Sequence, residues 1–354
     1  MKRILYLSNV EVPYRVRFFK ELAKYCDLTV LYERDKATNR NEAWAKSESR
    51  NFRTIFLNGV KMKKDSTFSL KILKYILGDY DYIIVGAYNS PVQMFAIIVM
   101  RILHIPYILS TDGKVFLEKK GIKTCAKSFF LKGADKYLVA GENAAHELQK
   151  ILKDKPIFVY NFSSLTDEEN QINKKNVPSN RDEHILIVGI YYQYKGLDVA
   201  VKVAKRDKET SYRFVGMGNR SEIFIKEQQT ENYNNIQVIP FLPFKQLIEE
   251  MKKCKLLILP SRKECWGLVI NEAASLGTPI VSTWGCGAGI EFLAKDYPQY
   301  LAQPGDSDSL YQCVQNLKKS DVSGYKQFLA NKAEKYSIEK SVKVHLRACD
   351  IWEE

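Results

Sequence analysis

The residues whose types and spacing suit chemistry gather in one stretch of this chain. Leu256-Leu-Ile-Leu-Pro260 is an apolar run with the character of a buried strand. It leads through Ser261-Arg-Lys-Glu264-Cys-Trp-Gly267 into a helical pattern over 266–275, stopped by Gly277-Thr-Pro279. Strand, tight loop and helix start make an anion cradle. First-turn N–H groups have no intrahelical acceptor, and the helix dipole adds partial positive charge there. Gly267 lets a ligand approach the backbone closely. Glu264 stands in the loop and Glu272 on the helix. Each carboxylate accepts at two oxygens, which suits the vicinal hydroxyls of a sugar or a ribose. Taken alone, the two glutamates also read as a neighbour of a helix cap and a surface helix residue.

A second strand and loop lie upstream, Ile187-Val-Gly189-Ile-Tyr-Tyr-Gln-Tyr-Lys195-Gly-Leu-Asp198. Lys195 carries the charge needed to stabilise a departing diphosphate; the alternative is a solvated loop lysine. In the first half, Tyr107-Ile-Leu-Ser-Thr-Asp112-Gly113 is a strand ending in a carboxylate, either a functional acid or the opening of an Asp-Gly turn. Arg15 and Arg17 follow the first strand. They are candidates for a phosphate of donor or acceptor, or exposed residues of a helix start.

The run from Pro260 to Ser282 resembles the signature of the retaining glycosyltransferases of group 1 (glycosyltransferase family 4): a Glu, seven residues and a second Glu, framed by Pro-Ser before and Gly-x-Pro after. The resemblance implies the GT-B fold, an α/β architecture of two Rossmann-like, doubly wound parallel-sheet domains with an inter-domain cleft. It implies a nucleotide-sugar donor as co-substrate, with UDP as the expected nucleotide. It also implies retention at the anomeric carbon, and neither a cofactor nor a required metal. On this pattern Glu264 orients the donor sugar, Glu272 holds the ribose, and Trp266, Gly267, Leu268 and Val269 line the nucleotide side. Lys195 rides over the diphosphate, Asp112 reaches toward the transferred sugar, and Gly189, Gly216 and Phe241 end strands that face the donor. Two departures stand out. The Arg that the family carries after the first glycine is Ile190 here, so Arg262 or a basic residue of the first domain is expected to substitute. The Gly-Gly of the first strand-to-helix loop is absent from Ser8–Arg17.

Positioning these residues requires strands, and the pattern supplies them. Ile4–Ser8, Leu28–Tyr32, Tyr82–Val85, Tyr107–Ser110, Lys136–Val139 and Ile157–Tyr160 read as strands alternating with helical spacing, hence βαβ units and a parallel sheet. Ile185–Val188, Tyr212–Val215, Ile236–Ile239, Leu256–Leu259 and Pro279–Ser282 repeat the logic. Ligands of such sheets bind at the carboxyl ends of the strands. The expected division is a first domain over 1–165, a polar and aperiodic linker over 166–183, a donor domain over 184–335, and a helix over 336–354 that packs back across the junction.

Charge and composition narrow the class. The chain has 354 residues and a formal net charge of +13, and residues 1–165 alone hold 28 Lys and Arg against 16 Asp and Glu. Such a surplus marks an anionic partner or simply a solvated basic surface. Lys114, Lys119, Lys120, Lys123 and Lys127, interleaved with Val115, Phe116 and Leu117, suit an anionic membrane face. No nucleic-acid motif appears. The seven cysteines include no Cys-x-x-Cys pair, which fits reduced thiols, and the four histidines form no ligand pattern. The longest apolar stretch, Met94–Met100, is far below the ~20 residues of a spanning helix. The resulting expectation is a cytoplasmic enzyme with peripheral contact at the membrane face, its acceptor a glycan or lipid-linked glycan. A nucleotide-sugar epimerase or phosphorylase of the same fold, and a non-catalytic binder of anionic ligands, are the competing readings.

Overall fold

The computed structural model describes residues 1–34, 50–63, 66–113, 128–152, 154–218 and 233–353. The chain divides into two compact units, one of Met1–Ser164 with Ile338–Glu354 and one of Leu165–Ser337.

The first unit is built on seven parallel strands: β1 (Arg3–Val10), β2 (Asp27–Arg34), β3 (Arg53–Phe56), β6 (Tyr82–Val85), β7 (Ile108–Thr111), β8 (Lys136–Ala140) and β9 (Ile157–Tyr160). Their order is β3-β2-β1-β6-β7-β8-β9, and an antiparallel pair, β4 (Val60–Lys63) and β5 (Ser66–Phe68), stands beside them. The strands read as unbroken apolar runs because both faces are covered. Leu5, Leu7, Ile83, Val85, Leu109 and Val139 join one core cluster, and Ile4, Tyr6, Ile84 and Leu138 on the alternate positions are equally buried. The helix Ile338–Ala348 belongs to this unit, where it packs against the helix Pro13–Leu22 and strands β8 and β9. After it, Asp350 is held by Lys136 Nζ at 2.7 Å and by the Tyr82 hydroxyl at 3.1 Å.

The second unit carries six parallel strands in the order β12-β11-β10-β13-β14-β15. They are β10 (Ile185–Val188), β11 (Tyr212–Val215), β12 (Ile236–Ile239), β13 (Leu256–Ile258), β14 (Ile280–Thr283) and β15 (Leu301–Ala302). Each sheet starts in its middle and winds outward, first one way and then the other. The strand order therefore reverses between β1 and β6 in one unit and between β10 and β13 in the other. At such a reversal the two following loops part, leaving room for a ligand at the carboxyl ends.

Residues 166–183 are not the irregular linker that their polarity suggests. Asp167–Lys175 is a helix of the second unit, started by a capping box. The Glu169 N–H donates to Thr166 Oγ1 at 3.1 Å, and the Thr166 N–H donates to the Glu169 carboxylate at 2.9 Å. Its buried face consists of amides. Asn170 donates to the Tyr336 carbonyl at 2.7 Å, and Asn173 to Ser275 Oγ at 2.9 Å. A helix docked by amides has no hydrophobic period, which is why the pattern reads as a loop. The unit boundaries shift accordingly, to 164/165 and 337/338. The six described cysteines are free thiols, and all but Cys265 are buried.

Candidate functional site

In the second unit, β10 and β13 pair directly, Ile187 opposite Ile258, and the loops that leave them are the two singled out by sequence. They are tied together by backbone. The N–H groups of Arg262 and Lys263 both donate to the Tyr194 carbonyl, at 2.8 and 3.1 Å. Lys195 ends a single 3-10 turn, Gln193–Lys195, and Gly196 follows at φ 69°. A Cβ on Gly196 would stand 2.0 Å from the Pro260 carbonyl oxygen, so only glycine allows this approach. The loop after β14 closes the other side. Glu264 N–H donates to the Gly285 carbonyl at 2.9 Å, Gly287 N–H to the Glu264 carbonyl at 3.1 Å, and Ala288 N–H to the Trp266 carbonyl at 2.8 Å. Glu264 is thus gripped at its backbone from both directions. The Trp284–Gly287 loop that does this was not singled out by sequence; its glycines, directly after a strand, are the signal available for it.

This framework brings Lys195 and Glu264 together as an ion pair, with side chains 25% and 17% exposed. Ser261 Oγ lies 3.4 Å from the same carboxylate oxygen. Glu264 is followed by Gly267 at φ 103°, which caps the helix Leu268–Ser275. Leu268 and Val269, in its first turn, are half-buried. Glu272, one turn further, is a buried carboxylate at 6% exposure. Gly189, Gly216 and the half-buried Phe241 follow β10, β11 and β12 along the same carboxyl edge. The N–H of Gly189 bonds the Val215 carbonyl and that of Gly216 the Ile239 carbonyl, each at 3.0 Å.

Two expected contacts are corrected. Trp266 does not offer its ring to a ligand. It is 3% exposed, its indole N–H donates to Asn271 Oδ1 at 2.8 Å, and it packs near Tyr336, so it supports the helix from beneath. Arg262 is not a free cation for a phosphate. Its guanidinium forks onto Asp198 at 2.6 and 2.7 Å and donates to the Gln193 carbonyl at 2.7 Å. Hydrogen bonds from Arg262 hold the Asp198 carboxyl below its ordinary pKa range.

In the first unit, Asp112 directly follows β7 and forms an ion pair with Arg15, whose side chain is 8% exposed. Arg15 is therefore a buried partner of Asp112 and not an exposed helix-start residue. Its guanidinium also donates to the Tyr6 hydroxyl at 3.3 Å and lies over the Phe162 ring at 5.3 Å. The Tyr160 hydroxyl is 3.2 Å from Asp112 and 3.0 Å from the Thr111 carbonyl. Arg17 donates to the Ser164 carbonyl at 2.8 Å. His345, unsuspected from sequence, enters this cluster from the helix Ile338–Ala348, with ring centroids 4.8 Å from Tyr160 and 4.7 Å from Phe18. Burial pulls its pKa down to about 4, so it is neutral near pH 7. Sequence also missed the buried Glu33 at the end of β2. Gln93 reaches it at 2.8 Å and reaches Asn9 at 2.6 Å, an internal polar network close to the strand reversal at β1 and β6. The lysines from Lys114 to Lys127 lie outside the described residues.

Among the described residues no three His, Cys, Asp or Glu side chains gather as a metal set. Two Asp-x-Asp pairs, the spacing by which a metal-dependent transferase would hold its cation, stand at 79/81 and 306/308 and are engaged otherwise. Asp79 and Asp81 pair with Arg3 and Lys2, Asp306 caps the helix Ser307–Lys319, and Asp308 pairs with Arg206. No described helix is long and apolar enough to cross a membrane.

Known proteins resemble this chain in sequence and in fold. The family model "Glycosyl transferases group 1" matches residues 167–336, nearly the whole second unit. An uncharacterized glycosyltransferase of Methanocaldococcus jannaschii is 26% identical over 251 residues, 68% of this chain and 67% of that protein. The O-antigen chain mannosyltransferase C of Escherichia coli is 24% identical over 270 residues, 71% of this chain and 70% of that one. Among solved structures, Anabaena HepE in complex with UDP and glucose matches with a TM-score of 0.65 at 14% identity, covering 99% of both chains. The likeness extends over the full length, and the fold is GT-B.

Proposed function

Because this chain is a glycosyltransferase with a group 1 domain, we propose that it transfers a sugar, with retention and without a metal, from a nucleoside diphosphate sugar to a hydroxyl of a glycan. UDP is the proposed nucleotide, and a lipid-linked surface glycan at the cytoplasmic membrane face the proposed acceptor. One observation carries the reading: a lysine and a glutamate meet at the strand reversal of the second unit, beside a helix N-terminus. That set holds a cation for a diphosphate, a carboxylate for sugar hydroxyls and, in Glu272, a second carboxylate for a ribose. No cofactor is required. Donor binding exchanges partners: the diphosphate takes the Lys195 amine, and Glu264 turns its oxygens to the sugar. As the bond from the anomeric carbon to the diphosphate breaks and that to the acceptor oxygen forms, the acceptor proton passes to the leaving diphosphate oxygen. Lys195 and the first-turn N–H groups then stabilise the leaving charge.

On the acceptor side, Asp112 is the proposed carboxylate, fixed by Arg15 and Tyr160. The O-antigen relative supports a glycan acceptor. The exposed apolar residues Ile102, Leu103 and Phe129, with Arg101 stacked on Phe129 at 4.0 Å, support contact with a lipid surface. A panel of UDP, GDP, TDP and their sugars tests the donor reading by thermal shift, since a ligand of the folded state raises the melting temperature. UDP is expected to raise it, and a protein that none of the panel stabilises contradicts the reading.

A further inference from the structure

We propose that Arg262 is a positioning residue: forked onto Asp198, it clamps the Lys195 loop against the Glu264 loop and sets where the Lys195 amine stands, without touching the donor. This rests on the donor-site reading above. The contacts point one way. Four attachments flank Lys195, and all come from residues 260–263. Arg262 Nη1 takes the Gln193 carbonyl, the Arg262 and Lys263 N–H groups take the Tyr194 carbonyl, Gly196 abuts the Pro260 carbonyl, and the Arg262 guanidinium holds Asp198 at both oxygens. Lys195 sits inside this bracket with its side chain directed to Glu264. The fork matches a carboxylate in geometry and cancels the guanidinium charge, so Arg262 adds little field to attract a diphosphate. A charge spent in this way does not replace the family's missing arginine at Ile190. It fixes the backbone on both sides of Lys195.

The two possible roles of Arg262 give opposite outcomes for one isosteric change. If Arg262 bound the donor, Asp198→Asn would release it and tighten UDP binding. If it is a clamp, Asp198→Asn loosens the Lys195 loop and weakens UDP. The test is calorimetric titration of UDP into the wild type, Asp198→Asn, Arg262→Gln and Arg262→Lys, and into the first two substitutions combined with Lys195→Met. Each single change is expected to weaken UDP by about 10-fold, the scale of one charge-assisted hydrogen bond. With Lys195→Met in place, the further loss is expected to fall to about twofold or less, because the clamp acts only through that lysine. A tighter Asp198→Asn complex, or an undiminished loss in the Lys195→Met background, overturns the proposal. A second readout needs no nucleotide. The acetylation rate of the Lys195 amine, followed by mass spectrometry, is expected to rise several-fold in Asp198→Asn and Arg262→Gln, and an unchanged rate overturns the clamp. A wild type that binds no UDP refutes the donor reading, while the acetylation rates still decide the clamp.

Discussion

Gly196→Ala isolates the contact on which the donor site is built. Two costs add. An L residue in the left-handed region, here φ 69°, loses about 1–2 kcal/mol. The new methyl then lies 2.0 Å from the Pro260 carbonyl oxygen, well inside contact distance, so the backbone of one loop must move by more than about 1 Å. Overpacking that forces such a shift costs about 1–3 kcal/mol, giving about 2–5 kcal/mol in all. Gly216→Ala is the matched control. Its φ is 81°, but nothing lies within 4 Å of its Cβ position, so only the first cost applies. Urea unfolding of the two variants, followed through the transition of the second unit, is expected to separate them by about 1–3 kcal/mol. Gly196→Ala is also expected to lose UDP affinity beyond its loss of stability, since the displaced loop carries Lys195. Equal destabilisation by the two substitutions would mean that the close approach of Gly196 to Pro260 does not hold the loops together.

Other consequences follow from the same structure. Thr166→Ala removes one partner of the capping box on Asp167–Lys175 and is expected to cost about 1 kcal/mol in the second-unit transition; a true linker position would show no change. His345 is buried and neutral, with its pKa lowered from 6.5 to about 4. The unfolded chain therefore binds a proton that the folded one refuses, so first-unit stability holds above pH 6.5 and falls as the pH drops toward 4, by about 3 kcal/mol. Denaturant midpoints at pH 7 and pH 4.5 measure this fall, and a His345→Gln variant is expected to lose most of that part of the pH slope.

Much of the fold was legible because both sheets are covered on both faces, and runs such as Ile4–Leu7 and Leu256–Ile258 leave a signal that needs no tertiary information. Lys195 and Glu264, each marked by the loop after its strand, come together in the structure as an ion pair. What escaped depends on pairing across long sequence separations. Arg15 and Asp112 are 97 residues apart, and Arg262 and Asp198 are 64 apart. Each arginine looked like a spare cation, since no local pattern records a distant carboxylate. His345 was invisible for the same reason. The helix Asp167–Lys175 failed differently, because its docking amides Asn170 and Asn173 carry no apolar period, although Thr166 and Glu169 spelled its start. The helical pattern over 266–275 takes in Trp266, but the left-handed Gly267 caps a helix that begins at Leu268 and leaves the indole buried in the loop.

Lys195 and Glu264 are the proposed donor centre of a glycosyltransferase, and that assignment can be tested directly. Its most direct test is release of nucleoside diphosphate from a panel of nucleotide sugars, with and without a glycan acceptor, by the wild type, Glu264→Gln and Lys195→Met. Steady release of UDP from at least one UDP-sugar is expected, reduced roughly 10- to 100-fold by either substitution. Release that persists undiminished in Glu264→Gln, or tight RNA binding with no turnover of any nucleotide sugar, contradicts it.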